Sequence, residues 1–311
     1  EEVGFATRHQ RSFSSSTRLQ FVTEGLLLRR LLAGKGNRDE LIVLDEFHER
    51  SIEADLLLGT LQRRGDPFLV MSATIDADRI AQAIGGEVIK IAGRLHPVEV
   101  EHLRAPSGDP PWILARRALE QVMAAGRDDG DVLIFMPGRR EIDRTIESCR
   151  GVVGGAELLP LHGNLPPQAQ DHAVEPGTRR KVIVSTNIAE TSITIEGVTC
   201  VIDSGLARVS RHDATREVER LETTPIDQAS AEQRTGRAGR VRPGRCLRLF
   251  TEPDLLARTP HRTPAVARED LAGPFLQLLA AGDDPDDFSW LDRPAKVAAA
   301  HARHTLEEIS A

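Results

Sequence analysis

Leu41-Ile42-Val43-Leu44-Asp45-Glu46-Phe47-His48-Glu49-Arg50 is the stretch on which the fold turns. Four consecutive apolar residues stopping at two acids read as a buried parallel strand with adjacent carboxylates at its C-terminal end. Nucleoside triphosphate hydrolysis uses that arrangement. One carboxylate holds Mg²⁺, directly or through water, and its neighbour accepts a proton from the attacking water. Taken alone, the same residues also suit an acidic turn before a helix cap.

Working outward, helical and strand signals alternate. Thr23–Leu32 carries a helical apolar stripe in Leu26, Leu27 and Leu31, and Ser51 is placed to cap a helix through about Leu61. Phe68-Leu69-Val70-Met71 reads as a second buried strand, Ile75–Ile84 as a helix and Glu87–Ile91 as a third strand. From Arg94 to Pro111 prolines and glycines break the pattern into loop, which sets a domain boundary there. A second alternating block follows. Strands are predicted at Val132–Met136, Glu157–Leu161, Val182–Ser185, Val198–Ile202 and Arg245–Phe250. Helices are predicted at Trp112–Ala125, Glu141–Cys149, Pro167–Val174 and Ala229–Arg237. This is doubly wound α/β grammar, in which sites lie beyond the carboxyl ends of the strands. Beyond Glu252 the strand signal fades, and Arg268–Ala281 and Pro294–Ile309 read as helices.

The 311 residues, 40% of them apolar and 28% charged, suit a soluble protein of two or three domains. No apolar run approaches the roughly 20 residues of a membrane span, so no membrane partner is expected. The three cysteines, Cys149, Cys200 and Cys246, have neither disulfide nor zinc spacing, and a reducing cytoplasm is the expected location. The net charge of −7 argues against a nucleic-acid field over the whole molecule and confines any such surface to a local patch. Without tyrosine, and with 4% aromatics, a base-stacking platform is not expected.

Three further segments carry chemistry. Ser72-Ala73-Thr74 follows the second buried strand, where small hydroxyls can link two sites by short hydrogen bonds or simply cap a helix. Gln233-Arg234-Thr235-Gly236-Arg237-Ala238-Gly239-Arg240 sets Arg237 and Arg240 three residues apart, on one side of a helix or its end. Two guanidiniums aimed together suit the charge on a transferring γ-phosphoryl group, and Gln233 can orient water. Ser185-Thr186-Asn187, at the head of a polar stretch running to Gly197, can grip a nucleic-acid backbone without reading bases. An arginine-rich surface loop and a Ser/Thr-rich loop are the plainer alternatives for the last two.

In this order the segments resemble the DEAH-box branch of superfamily 2 helicases, and Asp45-Glu46-Phe47-His48 with Glu49-Arg50 resembles its bacterial HrpB type. Val22-Thr23-Glu24-Gly25-Leu26-Leu27 resembles an RNA-contacting motif of the first helicase domain, and Leu133 to Ile142 the motif that opens the second. The resemblance implies two RecA-like parallel-sheet domains with ATP in the cleft between them: a first, N-terminally incomplete one over 1–98 and a second over 99–252. Over 253–311 it implies the start of a mainly helical winged-helix region. It makes Asp45 the Mg²⁺-associated acid and Glu46 the water-activating base. His48, Ser72 and Thr74 become coupling residues at the nucleotide site, Gln233 the water-side glutamine, and Arg237 and Arg240 γ-phosphate sensors. Glu196 falls near the nucleotide, where many relatives have Asp. Arg8, Thr23, Arg139, Ser185, Thr186 and Asn187 fall at backbone-gripping positions. Leu206 to Asp227 resembles the strand-separating hairpin.

One departure is large. The family's G-x-x-x-x-G-K-[ST] phosphate loop is absent, because the four lysines are followed by Gly36, Ile91, Val182 and Val297. We therefore expect a chain truncated at its N-terminus, from an ATP- and Mg²⁺-dependent helicase acting on RNA, single-stranded or duplex with an overhang. By itself this chain is expected to have little ATPase activity. DNA as the track, and a non-catalytic RNA- or protein-binding role, stay open as alternatives.

Overall fold

A computed structural model describes residues 2–310 apart from 9, 36–38, 74–76, 92, 94, 95, 127–129, 192 and 214–217, and the side chains of 212, 213, 218, 219 and 310. The elements run β1 (Val3–Ala6), β2 (Arg11–Ser12), β3 (Leu19–Val22), α1 (Glu24–Leu32), β4 (Ile42–Leu44), α2 (Ile52–Arg64), β5 (Phe68–Val70) and α3 (Ala77–Ile84). Then come β6 (Val98–His102), α4 (Pro111–Ala125), β7 (Asp131–Phe135), α5 (Arg139–Cys149), β8 (Glu157–Leu161), α6 (Pro167–Val174), β9 (Lys181–Ser185) and β10 (Val198–Asp203). The chain continues through β11 (Leu206–Asp213), β12 (Val218–Pro225), α7 (Gln228–Gly236), β13 (Gly244–Arg248), α8 (Glu252–Ala257), α9 (Ala272–Ala280) and α10 (Lys296–Ser310). They form two compact units. One is Glu1–Ile89, Ser210–Arg220 and Thr263–Ala311; the other is Lys90–Val209 and Leu221–Arg262.

In the second unit a six-stranded parallel sheet has the order β6-β13-β10-β7-β9-β8. Its central strands are apolar on both faces because both faces are covered. Val132, Ile134, Val182, Val184, Cys200 and Ile202 pack with Ala115, Leu119 and Val122 of α4 and Ile142 of α5. The alternate residues Leu133, Phe135, Ile183 and Val201 pack on the other face with Ala173 of α6 and Ala238. Each fully buried aliphatic side chain contributes about 1.5–3 kcal/mol. The register sets Phe135 opposite Ser185 on one side and Asp203 on the other, so the carboxyl ends of β9, β7 and β10 lie level.

In the first unit β1 lies parallel to β3 and antiparallel to β2, while β4 and β5 form a separate parallel pair. Ser51 caps α2 by accepting from Ala54 N at 3.0 Å. Leu28, Leu57, Leu58 and Leu61 share a core with Val266, Phe275, Leu278, Phe288 and Ala302, so the C-terminal helices complete this unit. Gly59 is what lets Phe288 in: a Cβ there would stand 2.5 Å from the Phe288 ring. The other faces of the short sheets are open. Val3, Phe5, Leu19 and Phe21, and Val43 and Leu69, are all more than 40% exposed.

Three sequence expectations need correction. Glu87–Ile91 is not a strand; Ile89 and Ile91 are 80% and 87% exposed, so their apolar character reflects no sheet. The stretch read as loop from Arg94 to Pro111 contains β6, an edge strand paired with β13. The helix expected from Arg268 begins at Ala272, because Asp270 turns the chain there by accepting from Ala272 N at 3.2 Å. Among the described residues no helix is long and apolar enough to cross a membrane.

Candidate nucleotide and nucleic-acid site

In the first unit, parallel pairing of Leu44 with Val70 brings the segments after β4 and β5 to one edge. Met71 N donates to Leu44 O at 2.8 Å and Phe47 N to Met71 O at 3.1 Å, so the acidic turn is stitched to the segment that leads to Ser72. Asp45 is exposed and its Oδ1 accepts from Glu46 N at 2.8 Å. Glu46 (φ 51°) and Arg50 (φ 50°) are the non-glycine residues with positive φ among those described. Each such conformation costs about 1–3 kcal/mol and persists only where the surroundings over-determine it. Here the buried Phe47 side chain and the two strand-end bonds do so. The result is a carboxylate pair turned outward, with the Glu46 side chain 41% exposed. Between the two strained residues, His48 packs with only 8% of its side chain exposed, its Nε2 3.4 Å from Glu46 Oε2. Neither ring nitrogen has a hydrogen-bond partner among the described residues. Ser72 is exposed at the same edge, and Thr74 lies outside the described residues.

The arrangement suits Mg²⁺ held in the way that ion prefers. No cluster of three or more His, Cys, Asp or Glu side chains able to hold a metal exists among the described residues. Magnesium instead takes one or two carboxylates and completes its shell with water and substrate phosphates. Asp45 offers such an oxygen, and the ion would neutralise charge on the phosphates.

Behind the acidic turn lies a network not foreseen from sequence. Arg50 donates from Nε and Nη2 to the two oxygens of fully buried Asp55 at 2.9 and 3.0 Å, and from Nη2 to Asp292 Oδ2 at 2.6 Å. Asp292 also accepts from Arg79 of α3. Burial alone would raise the pKa of Asp292, but the bonds from Arg50 and Arg79 outweigh it and hold the carboxyl below its ordinary value. One carboxylate near the C-terminus thus ties the residue after the acidic turn to the helix after Ser72. The local signal was Asp55, a lone acid amid Ala54, Leu56, Leu57 and Leu58. Its distant partner had none.

Arg8 and Thr23 follow the carboxyl ends of β1 and β3, which pair in parallel at Ala6 and Val22, so both lie at one end of that sheet, exposed.

In the second unit fully buried β9 delivers Ser185, whose hydroxyl donates to Thr186 O at 3.0 Å. Ser185 is wholly buried; half-buried Thr186 and exposed Asn187 present the polar groups. Glu190, just beyond, accepts from Arg234 Nε at 2.8 Å, and Arg234 Nη1 donates to Asp203 Oδ1 at 2.8 Å. Arg234 stacks over Phe135 at 4.7 Å and is fully buried. Burial alone would lower its pKa, but the carboxylates of Asp203 and Glu190 raise it, so it stays charged. This triad knots α7 to the ends of β9 and β10. Gln233 and Arg234 are sequence neighbours, yet only the fold reveals that Arg234 faces inward. Arg237 is also buried: Nε donates to Glu190 O at 2.8 Å and Nη1 to Ile193 O at 2.6 Å. Arg240 is exposed and donates to Thr194 Oγ1 at 2.6 Å. Gln233 is half-buried and Glu196 exposed. Arg139 opens α5, its side chain 70% exposed and 3.8 Å from Asp143. The polar stretch after β9 and the Gln233–Arg240 segment therefore meet, while Asp45, Glu46 and His48 form a group within the first unit.

Residues 115–242 match the helicase conserved C-terminal domain. The whole chain is 38% identical over 331 residues to ATP-dependent RNA helicase HrpB of Escherichia coli, spanning 40% of that protein. It is 36% identical over 321 residues to the ATP-dependent RNA helicase HrpA homolog of Haemophilus influenzae, with 99% of the chain and 24% of the relative covered. With the probable ATP-dependent RNA helicase DHR2 of Saccharomyces cerevisiae the figures are 35% identity, the whole chain and 45% of the relative. The crystal structure of Escherichia coli DEAH/RHA helicase HrpB superposes with a TM-score of 0.87 at 37% identity, over 98% of this chain and 40% of that one. The chain thus spans less than half the length of these relatives. Fold and sequence together make the chain similar to part of a RecA-like α/β helicase. Within that class the likeness, over nearly the whole chain, is to a part of the HrpB type of the DEAH-box branch.

Proposed function

We propose that the chain is the motor part of an ATP-dependent RNA helicase that couples ATP hydrolysis to movement along RNA and to unwinding. The observation that carries this is the outward-turned Asp45–Glu46 pair at the end of β4, in a chain similar end to end to proteins named RNA helicases. In this reading Asp45 holds Mg²⁺ and Glu46 takes the proton of the attacking water. His48, Ser72 and Thr74 relay the state of the nucleotide, and Glu196 lies near it. Gln233 orients the water and Arg240 meets the γ-phosphate. Arg237 acts beside it and also braces the Glu190–Ile193 loop through its carbonyl bonds. Arg8, Thr23, Arg139, Thr186 and Asn187 grip the RNA backbone, and buried Ser185 shapes the turn that presents two of them. Residues 253–311 form the start of a winged-helix region, β11 and β12 part the strands, and the protein works in the cytoplasm. Binding is largely sequence-independent and weakens with salt, because phosphates dominate it.

The 311 residues contain no G-x-x-x-x-G-K-[ST] loop, so the chain alone hydrolyses ATP poorly. The test is RNA-stimulated phosphate release, by this chain and by a longer one that supplies the loop. Only the longer chain is expected to turn over, and Glu46→Gln to lower its kcat by about 10²–10⁴-fold, the usual worth of a general base. Robust hydrolysis by the short chain, abolished by Glu46→Gln, overturns its predicted inactivity. Hydrolysis by the longer chain that is indifferent to Glu46→Gln overturns the site. Stimulation by DNA equal to that by RNA removes RNA as the preferred track.

A further inference from the structure

The outer face of α5 and the base of β11 form an open groove of about 570 Å³ lined by Arg139, Arg140, Asp143, Arg144, Glu147 and Arg208. All four arginines are exposed. Arg140 and Arg144 are one helical turn apart and share a face of α5. Arg208 comes from a different element and passes close over residue 138. A Cβ on Gly138 would lie 3.1 Å from the Arg208 guanidinium carbon. The guanidinium thus rests against the backbone that opens α5, with its Nη2 3.9 Å from Glu141 Oε2.

We propose that this groove binds the phosphodiester backbone of single-stranded nucleic acid, with Arg140, Arg144 and Arg208 as contacts additional to Arg139. Three observations carry it. In a chain of net charge −7, four arginines converge on one local surface. Their forked donors match phosphate oxygens, and no aromatic side chain lines the groove, so it is built for backbone and not for bases. Its position is continuous with the polar turn after β9. Gly138 and Arg139 follow β7, Thr186 and Asn187 follow β9, Arg208 follows β10, and these three strands end level in one sheet. Met136 N donates to Ser185 O at 2.8 Å, which fixes the first two segments side by side. A backbone held at Thr186 and Asn187 therefore meets the arginines next. Asp143 and Glu147 dilute the charge, which suits a strand that must slide rather than lodge.

The proposal rests on the nucleic-acid reading above, and the two can be separated by fluorescence anisotropy of a labelled single-stranded RNA over a salt series with the full 311-residue chain. Arg144→Glu/Arg208→Glu is expected to raise Kd at least tenfold and to reduce the salt slope by about two, roughly one for each phosphate no longer neutralised. Arg144→Lys/Arg208→Lys is expected to keep the slope, since the charges remain. Arg116→Glu, which removes an exposed arginine of α4 paired with Glu120, is expected to leave both quantities unchanged. Wild-type Kd and slope in the double Glu variant, with unchanged Tm, overturn the groove while leaving RNA binding intact. An equal loss with Arg116→Glu reduces the effect to net charge and also overturns it. If the wild-type chain binds neither RNA nor DNA, the nucleic-acid reading falls and the groove with it.

Discussion

Arg234 shows how much a single side chain can hold. A fully buried guanidinium is tolerable only because Asp203 and Glu190 neutralise it and Phe135 lies under it. Removing Asp203 leaves Arg234 paired with Glu190 but unmakes a buried charged hydrogen bond, which costs about 1.5–3 kcal/mol. Asp203→Ala is therefore expected to lower the unfolding free energy by about that amount in urea titrations. A loss below about 1 kcal/mol means that the pocket admits water to Arg234. The cysteines give a second prediction at this scale. Cys246 is fully buried, and desolvation pushes its thiol up to about 12. Because the thiolate is the nucleophile, iodoacetamide at pH 8 should not label Cys246 until the protein unfolds. Mass-spectrometric labelling of the native chain at this site contradicts its burial.

Among the elements, α2 matters most to the first unit. Its N-terminal end follows Arg50, its flank is buried along Leu56, Leu57, Leu58 and Leu61, and Gly59 meets Phe288. Gly59→Ala raises helix propensity by about 1 kcal/mol, yet its methyl collides with Phe288 and with Ser289 O at 2.8 Å. Overpacking a closed core costs about 1–3 kcal/mol, so net destabilisation and a lower Tm are expected. An unchanged or raised Tm means that residues 288–292 do not seat on α2. The alternation of apolar and acidic residues in Val98–His102 was the one legible sign of β6. It was hidden by the prolines and glycines around it, and only pairing with β13 makes it a strand.

At the scale of the whole molecule, the two units differ in closure. The six-stranded sheet has covered faces, whereas the short sheets of the first unit turn Val3, Phe5, Leu19, Phe21, Val43 and Leu69 outward. Apolar side chains exposed on a sheet face in this way mark an interaction face or an aggregation liability. The isolated chain is expected to bind a fluorescent apolar dye at native pH and to self-associate with rising concentration in sedimentation velocity. Replacing Phe5 and Phe21 with Ser should reduce both. A strictly monomeric chain without dye binding contradicts this.

Local order and composition were enough to determine the alternating α/β character and most strand positions, and to single out Asp45–Glu46, Ser185–Asn187 and Gln233–Arg240 as candidates. These depend on the spacing of apolar runs and on which polar residue follows a strand, and both are properties of neighbours in the chain. Tertiary structure alone decided that Glu46 and Arg50 take positive φ, that Ser185 and Arg237 turn inward, and that Arg234 is a buried cation. It also joined Arg50 to Asp292 and brought Arg208 beside Arg139. Each of these follows from contacts between residues far apart in sequence, whose partner is selected by burial and charge only once the sheets have formed.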